Sequence, residues 1–144
     1  MAAPMYTADS ILRVTDDPRA VDFHQLRALH QETSWAQDRA LLDLQRAVAS
    51  SDLVLTAWDD STLVGCIRVL SDFVYRAVLC DVIVHPDYRR QGIGRLLVEQ
   101  VTSHPRLERV QKFTLLTTTA RSFYERLGWR KYPGEGMVYE RDNH

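Results

Sequence analysis

Two kinds of apolar run alternate along the chain: short β-branched stretches, and stripes recurring every three or four residues. Ile11-Leu12-Arg13-Val14 predicts a first short strand after a loose lead-in over residues 1–9. Asp16-Asp17-Pro18 has the form of a helix start, an Asp cap followed by proline, with Val21, Leu26 and Leu29 on one face. Thr33 is placed to cap a second helix striped by Ala40, Leu41, Leu44 and Val48 and ended by Ser50-Ser51-Asp52. Residues 53–58, 63–70 and 75–84 read as three strands with short links, an antiparallel meander. Ile93, Leu96, Leu97 and Val101 then stripe a helix. Residues 113–117 predict a strand whose long crossover lets it run parallel to the strand at 75–84. Ala120, Phe123, Tyr124 and Leu127 stripe a short helix closed by Gly128, and residues 129–132 and 137–140 predict two final strands. The pattern is that of an α/β fold: a mixed sheet, antiparallel first, with a central parallel strand pair and flanking helices.

Composition narrows the class. The chain has 144 residues, 45% apolar and 26% charged, which suits one domain spanning residues 1–144. A net charge of −1 gives no global attraction for nucleic acid or an anionic membrane, so neither is expected as a partner. Residues 1–10 lack a signal-peptide pattern and no apolar run approaches spanning length, so a cytoplasmic protein is expected. Cys66 and Cys80 fall in strand-like apolar runs, which favours buried free thiols over a disulfide. His24, His30, His104 and His144 show no metal-ligand spacing and are expected at the surface, His85 in a turn, and no metal is expected.

Chemistry concentrates between Cys80 and Leu97. Val82, Ile83 and Val84 suit a strand covered on both faces. Pro86 begins a turn, and the helical stripe starts at Ile93, so Gly92 and Gly94 lie where strand hands over to helix. Glycine there admits positive φ and close approach of a ligand to the backbone. The unpartnered N–H groups and positive dipole end of a helix N-terminus make an anion site, usually for phosphate. Arg89, Arg90 and Arg95 add charge-assisted donors. A dinucleotide-binding turn fits poorly, because the third Gly of G-x-G-x-x-G is missing and Thr117 stands where an acidic residue should end the next strand. A P-loop fails for want of Gly-Lys-Ser/Thr.

At these residues the chain resembles the GNAT superfamily of acyl-CoA N-acyltransferases. The family's pyrophosphate loop R-x-x-G-x-G appears here as Arg89-Arg90-Gln91-Gly92-Ile93-Gly94. Asp81-Val82-Ile83-Val84-His85-Pro86 before it and Phe123-Tyr124-Glu125-Arg126-Leu127-Gly128-Trp129 after it resemble the flanking motifs in order and spacing. The resemblance implies the GNAT fold, with acetyl-CoA as co-substrate in a cleft where the strands at 75–84 and 113–117 splay apart. Main chain of Val82, Ile83 and Val84 would pair with the pantetheine arm, and the N–H of Val82 or Ile83 would polarise the thioester carbonyl. The loop residues Arg89, Arg90, Gln91, Gly92, Ile93, Gly94 and Arg95 would hold the pyrophosphate. Thr117, where the family often has Asn, would offer its hydroxyl to pantetheine, and Arg121 and Ser122 would meet the adenosine end or simply face solvent.

The resemblance makes Tyr124 the general acid for the departing thiolate, since a phenol of pKa about 10 can protonate a thiolate whose acid has a pKa of about 8.5. The alternative is that Tyr124 merely shares the core stripe. Asp81, an acidic residue in an apolar strand, is either the base for the amine, its pKa raised by burial, or a structural carboxylate paired with an arginine such as Arg76. Acceptor specificity is expected from Trp35, the Asp72-Phe73-Val74-Tyr75-Arg76 turn and the tail at 132–139, which would suit an amine with an apolar or aromatic body. Ser71-Asp72, Asp81-Val82-Ile83-Val84 and Gly136-Met137-Val138-Tyr139 resemble the branch of cyanobacterial and plastid serotonin N-acetyltransferases, whose relatives also include protein acetylases. The implied reaction is acetyl transfer to a primary amine, of a small molecule or of a protein, by direct attack. A non-catalytic acyl-CoA sensor acting through a protein partner is the alternative, and family habit suggests a homodimer.

Overall fold

A computed structural model describes residues 12–141. The lead-in expected over residues 1–9, Ile11 and His144 lie outside them. Among the described residues five strands form one sheet in the order β1 (Leu12–Thr15), β2 (Leu53–Asp59), β3 (Thr62–Ser71), β4 (Arg76–Val84) and β5 (Lys112–Thr114). The first three pairings are antiparallel and β4–β5 is parallel, as the periodicity predicts.

Alternation along β3, reset by a bulge at Val64 where the pairing jumps from Trp58–Leu63 to Ala57–Gly65, decides how the layers stack. Gly65, Ile67 and Val69 face α3 (Ile93–Thr102), whose Ile93, Leu97, Val98 and Val101 are buried against the sheet. Leu63 and Cys66 turn to the opposite face and pack with Leu26 and Leu29 of α1 (Phe23–Gln31). The second helix, α2 (Leu41–Ala49), buries Leu44 beside them. Each large aliphatic side chain withdrawn completely from water contributes about 1.5–3 kcal/mol. Gly65 sets how closely α3 can approach: a Cβ there would lie 3.1 Å from Leu97 Cδ1 and 3.2 Å from Ile93 Cγ2.

Four local expectations are corrected. Asp17 caps only the 3-10 turn Pro18–Ala20, and α1 begins after a second cap, Asp22, whose carboxylate accepts from His24 and Gln25 N–H. Thr33 spends its hydroxyl on a turn, accepting from Ala36 N at 2.9 Å, so α2 starts only at Leu41 without a side-chain cap. The strand expected at 113–117 shortens to β5 and pairs only with Arg76, Ala77 and Val78. No strand forms at 129–132 or 137–140. Met137, Val138 and Tyr139 are 94%, 78% and 83% exposed, so this short apolar run packs on no sheet.

Candidate active site

The parting of β4 from β5 creates the site. Pairing ends at Val78 and Thr114, while β4 continues to Val84. His85 N donates to Val64 O at 2.8 Å, so its main-chain groups point to β3. Strand groups alternate in direction, which turns Ile83 to β3 as well and aims Val82 and Val84 into the gap left by β5. The β3–β4 register passes from Arg68–Asp81 to Val69–Leu79, leaving Cys80 as a bulge residue on the cleft wall. The resulting cleft has a volume of about 1120 Å³.

Beyond β4 the chain tightens into the turn Pro86–Tyr88, where His85 Nδ1 accepts from Asp87 N at 3.1 Å. This is the turn role expected of His85. The buried Tyr88 donates its hydroxyl proton to Asp59 Oδ2 at 3.3 Å and ties the turn to β2. Arg90 at φ +64° and Gly92 at φ +85° then twist the backbone into the left-handed region. Gly92 is the N-cap of α3, and the first N–H to bond back is that of Leu96, to Gly92 O at 3.0 Å. The N–H groups of Ile93, Gly94 and Arg95 therefore have no helical partner. These residues, with Arg89 and Arg90, line the cleft. A helix end with free N–H groups, the geometry that suits an anion, and an unpaired strand edge share one opening.

Tyr124 lies on α4 (Arg121–Arg126), against the same cleft. Its ring packs edge-on against Phe123 at 5.0 Å and Trp129 at 5.7 Å. Its hydroxyl makes no hydrogen bond among the described residues, and burial pushes the phenol's pKa up from its ordinary value. The side chain is both part of the core and an uncommitted proton donor on the cleft wall.

Residues 50–131 match the acetyltransferase (GNAT) domain. The chain belongs to the GNAT acetyltransferase family. An N-acetyltransferase, ycf52, of Porphyra purpurea is 30% identical over 126 residues, covering 83% of this chain and 72% of that protein. A crystal structure of a GNAT-family protein from Xanthomonas campestris superposes with a TM-score of 0.78 at 33% identity, covering 89% of this chain and 94% of that one. The PaiA N-acetyltransferase of Thermoplasma acidophilum in complex with coenzyme A shares the fold, with a TM-score of 0.71 at 18% identity over 88% of this chain and 94% of that one. The cleft between β4 and β5 is thus the candidate active site of an acetyltransferase.

Within this GNAT fold the expected site residues separate into two groups. Val82, Ile83, Val84, Arg89, Arg90, Gly92, Ile93, Gly94, Arg95, Thr117 and Tyr124 all line the cleft. Gln91 does not: its amide turns back to donate to Asp87 O at 3.5 Å. Ser122 is exposed and outside the cleft wall, and Arg121 pairs with Glu125 at 3.2 Å. Thr117 Oγ1 accepts from Ala120 N at 3.0 Å, which leaves its hydroxyl proton free to donate.

Asp81 faces away from the cleft. Its carboxylate is 2% exposed and lies on the α1 side of the sheet. Oδ2 accepts from Arg68 Nε at 2.8 Å and Arg39 Nη1 at 2.9 Å, and His30 Nε2 stands 3.7 Å away. Burial alone would raise the pKa. His30 and the two guanidinium groups outweigh it and hold the carboxyl well below the usual carboxylate range. The expectation of a base activated by burial is overturned, and the pairing partners are Arg68 and Arg39 rather than Arg76. His30, expected at the surface, is buried within this cluster, with Nδ1 donating to Leu26 O at 2.9 Å.

Other cleft residues escaped the sequence pattern. Glu32 and Arg126 line it too, and Glu32 is its one carboxylate among the described residues, while Trp35, expected to shape acceptor specificity, stands on the same wall. Arg126 falls inside the recognised F-Y-x-x-x-G segment, so its position was a usable signal. Glu32 had none, since only the path of the irregular chain after α1 brings it there. Cys80 is half-buried, not buried as expected, because the bulge turns it outward. Burial pushes the Cys66 thiol up to about 12 and raises Cys80 as well, so neither is an activated nucleophile. Among the described residues no His/Cys/Asp/Glu group could hold a metal, and no helix is long and apolar enough to cross a membrane.

Proposed function

We propose that this chain acts as one catalytic domain in the cytoplasm, transferring the acetyl group of acetyl-CoA to a primary amine by direct attack. The observation that carries this reading is the shared cleft: an unpaired β4 edge, an anion-binding α3 N-terminus and the Tyr124 hydroxyl open onto one space. The coenzyme A bound to the Thermoplasma protein of the same fold supports an acyl-CoA donor.

Each group then has a task. The α3 N–H groups with Arg89, Arg90 and Arg95 take the pyrophosphate. The free main chain of Val82 and Val84 pairs with the amides of the pantetheine arm. Val82 N–H, rather than that of Ile83, is the donor aimed toward the thioester oxygen. The amine enters from the α1 side, where Glu32 attracts an ammonium group and Trp35 offers an apolar face. It loses a proton to water, its nitrogen attacks the carbonyl carbon, and the tetrahedral adduct gives up the second N–H proton to solvent. The C–N bond forms, the C–S bond breaks, and the sulfur takes a proton from Tyr124, which recovers one from solvent. The acidic and aromatic entrance favours an amine with an apolar or aromatic body.

The test is coenzyme A release from acetyl-CoA across a panel of arylalkylamines, polyamines and lysine peptides, with product masses. A strong signal on one amine class, with an added mass of one acetyl group, is expected. Silence across the panel with acetyl-CoA binding intact would instead mark an acyl-CoA sensor.

A further inference from the structure

The buried carboxylate that takes no part in the chemistry is joined to the acceptor side of the cleft through one arginine. Residues 32–40 form no regular element, yet Trp35 within them, 55% exposed, forms part of the cleft wall. The Arg39 guanidinium sits over the Trp35 indole, 5.4 Å from the ring centroid. The same guanidinium donates through Nη1 to Asp81 Oδ2 at 2.9 Å, and Arg68 Nε holds that oxygen from the other side at 2.8 Å. Asp81 is fixed in β4 between Cys80 and Val82, the residues whose other side forms the cleft edge. An unbroken line of contacts therefore runs from the strand that receives the thioester to the indole beside the acceptor. A guanidinium is suited to this double duty, because it can bond a carboxylate in its plane while stacking on a ring with its face.

We propose that Arg39, clamped by Asp81, is a positioning residue that holds Trp35 as a fixed wall of the amine pocket and so selects amines with a flat apolar body. The proposal rests on the amine-acetylating reading above. It explains why a strand otherwise apolar between Ala77 and Val84 carries an acid: the carboxylate anchors the loop on the far face of the sheet.

The test compares Arg39→Ala, Trp35→Ala, the double variant and Arg39→Lys. With an arylalkylamine acceptor, Arg39→Ala is expected to raise KM roughly tenfold, with the change falling mainly on KM rather than kcat and the acetyl-CoA Kd unaltered. The double variant is expected to be no worse than Trp35→Ala alone, since the two residues act as one unit. Arg39→Lys, which keeps a cation but loses the planar fork, should recover part of the loss. An unchanged KM, or losses that multiply in the double variant, would overturn the proposal. A second readout needs no turnover: acrylamide quenching of Trp35 fluorescence, taken as the difference from Trp35→Phe. More efficient quenching in Arg39→Ala and Arg39→Lys supports the clamp, and identical quenching in both rejects it. If wild type acetylates no amine, the amine reading has failed, and the quenching result alone judges the Arg39–Trp35 coupling.

Discussion

Arg68 and Asp81 stand directly opposite one another in the β3–β4 register, joined by a 2.8 Å hydrogen bond on the face of the sheet away from the cleft. The pair explains why Asp81 is ionised where burial alone would neutralise it. Asp81→Asn would leave Arg68 and Arg39 facing a neutral amide, and a broken buried pair is strongly destabilising. The expected loss is about 3 kcal/mol by denaturant titration. The sign of its pH dependence follows from the lowered pKa. Wild type holds this stability above the unfolded carboxyl's value of about 3.9 and loses it as pH falls below that. The gap between wild type and Asp81→Asn should therefore narrow below about pH 4; a gap constant to pH 2 would contradict the pairing.

Gly65 and the face of α3 make a second prediction. Gly65→Val would press atoms into Leu97, Ile93 and the Ile83 carbonyl, all within 3.3 Å of a Cβ at that position. Overpacking of this kind costs about 1–3 kcal/mol, read as a fall in Tm. Acetyl-CoA affinity should fall with it, because the displaced helix carries the proposed pyrophosphate site on its first turn.

At Gly92 the space is open and the backbone is the constraint. A Cβ would meet nothing within 4 Å, but φ is +85°. A β-branched residue there costs roughly 1–2 kcal/mol of backbone strain. Relieving it would turn the first N–H groups of α3 away from the cleft. Gly92→Val is expected to keep the fold and to weaken acetyl-CoA binding at least about tenfold, measured by calorimetry. Unchanged affinity would remove the loop from the binding site.

Tyr124→Phe should leave acetyl-CoA affinity intact and lower kcat by about 10²–10⁴-fold, the usual scale for a lost general acid. Burial disfavours the phenolate, so the donor keeps its proton to higher pH than an ordinary tyrosine. The kcat of wild type should accordingly show no alkaline fall below about pH 10. A fall near neutrality would assign the proton transfer to another group.

How far the sequence discloses this site differs residue by residue. Val82, Gly92 and Tyr124 were legible because strand, glycine turn and helical stripe are local patterns, and the structure brings them to one cleft. Gln91 and Ser122 belonged to the same patterns, but a loop or a short helix turns alternate side chains outward, and spacing does not say which. Asp81 was conspicuous, yet its partners Arg39 and Arg68 lie 42 and 13 residues away, and only the fold supplies them. Without them, burial pointed to a raised pKa and therefore in the wrong direction. The tail at 137–140 shows the opposite failure. Its short apolar run is strand-like, but such a run makes a strand only where a neighbour offers an edge and a core to cover.

Hydrogen exchange of β4 with and without acetyl-CoA tests the central claim most directly. If the parted strands receive the pantetheine arm and α3 the pyrophosphate, amides of Val82, Val84, Ile93, Gly94 and Arg95 should slow when acetyl-CoA is added. The amide of Ile83, already turned to β3, should change little. Protection that leaves Val82 and Val84 untouched, or falls outside the β4–α3 segment, would contradict the account.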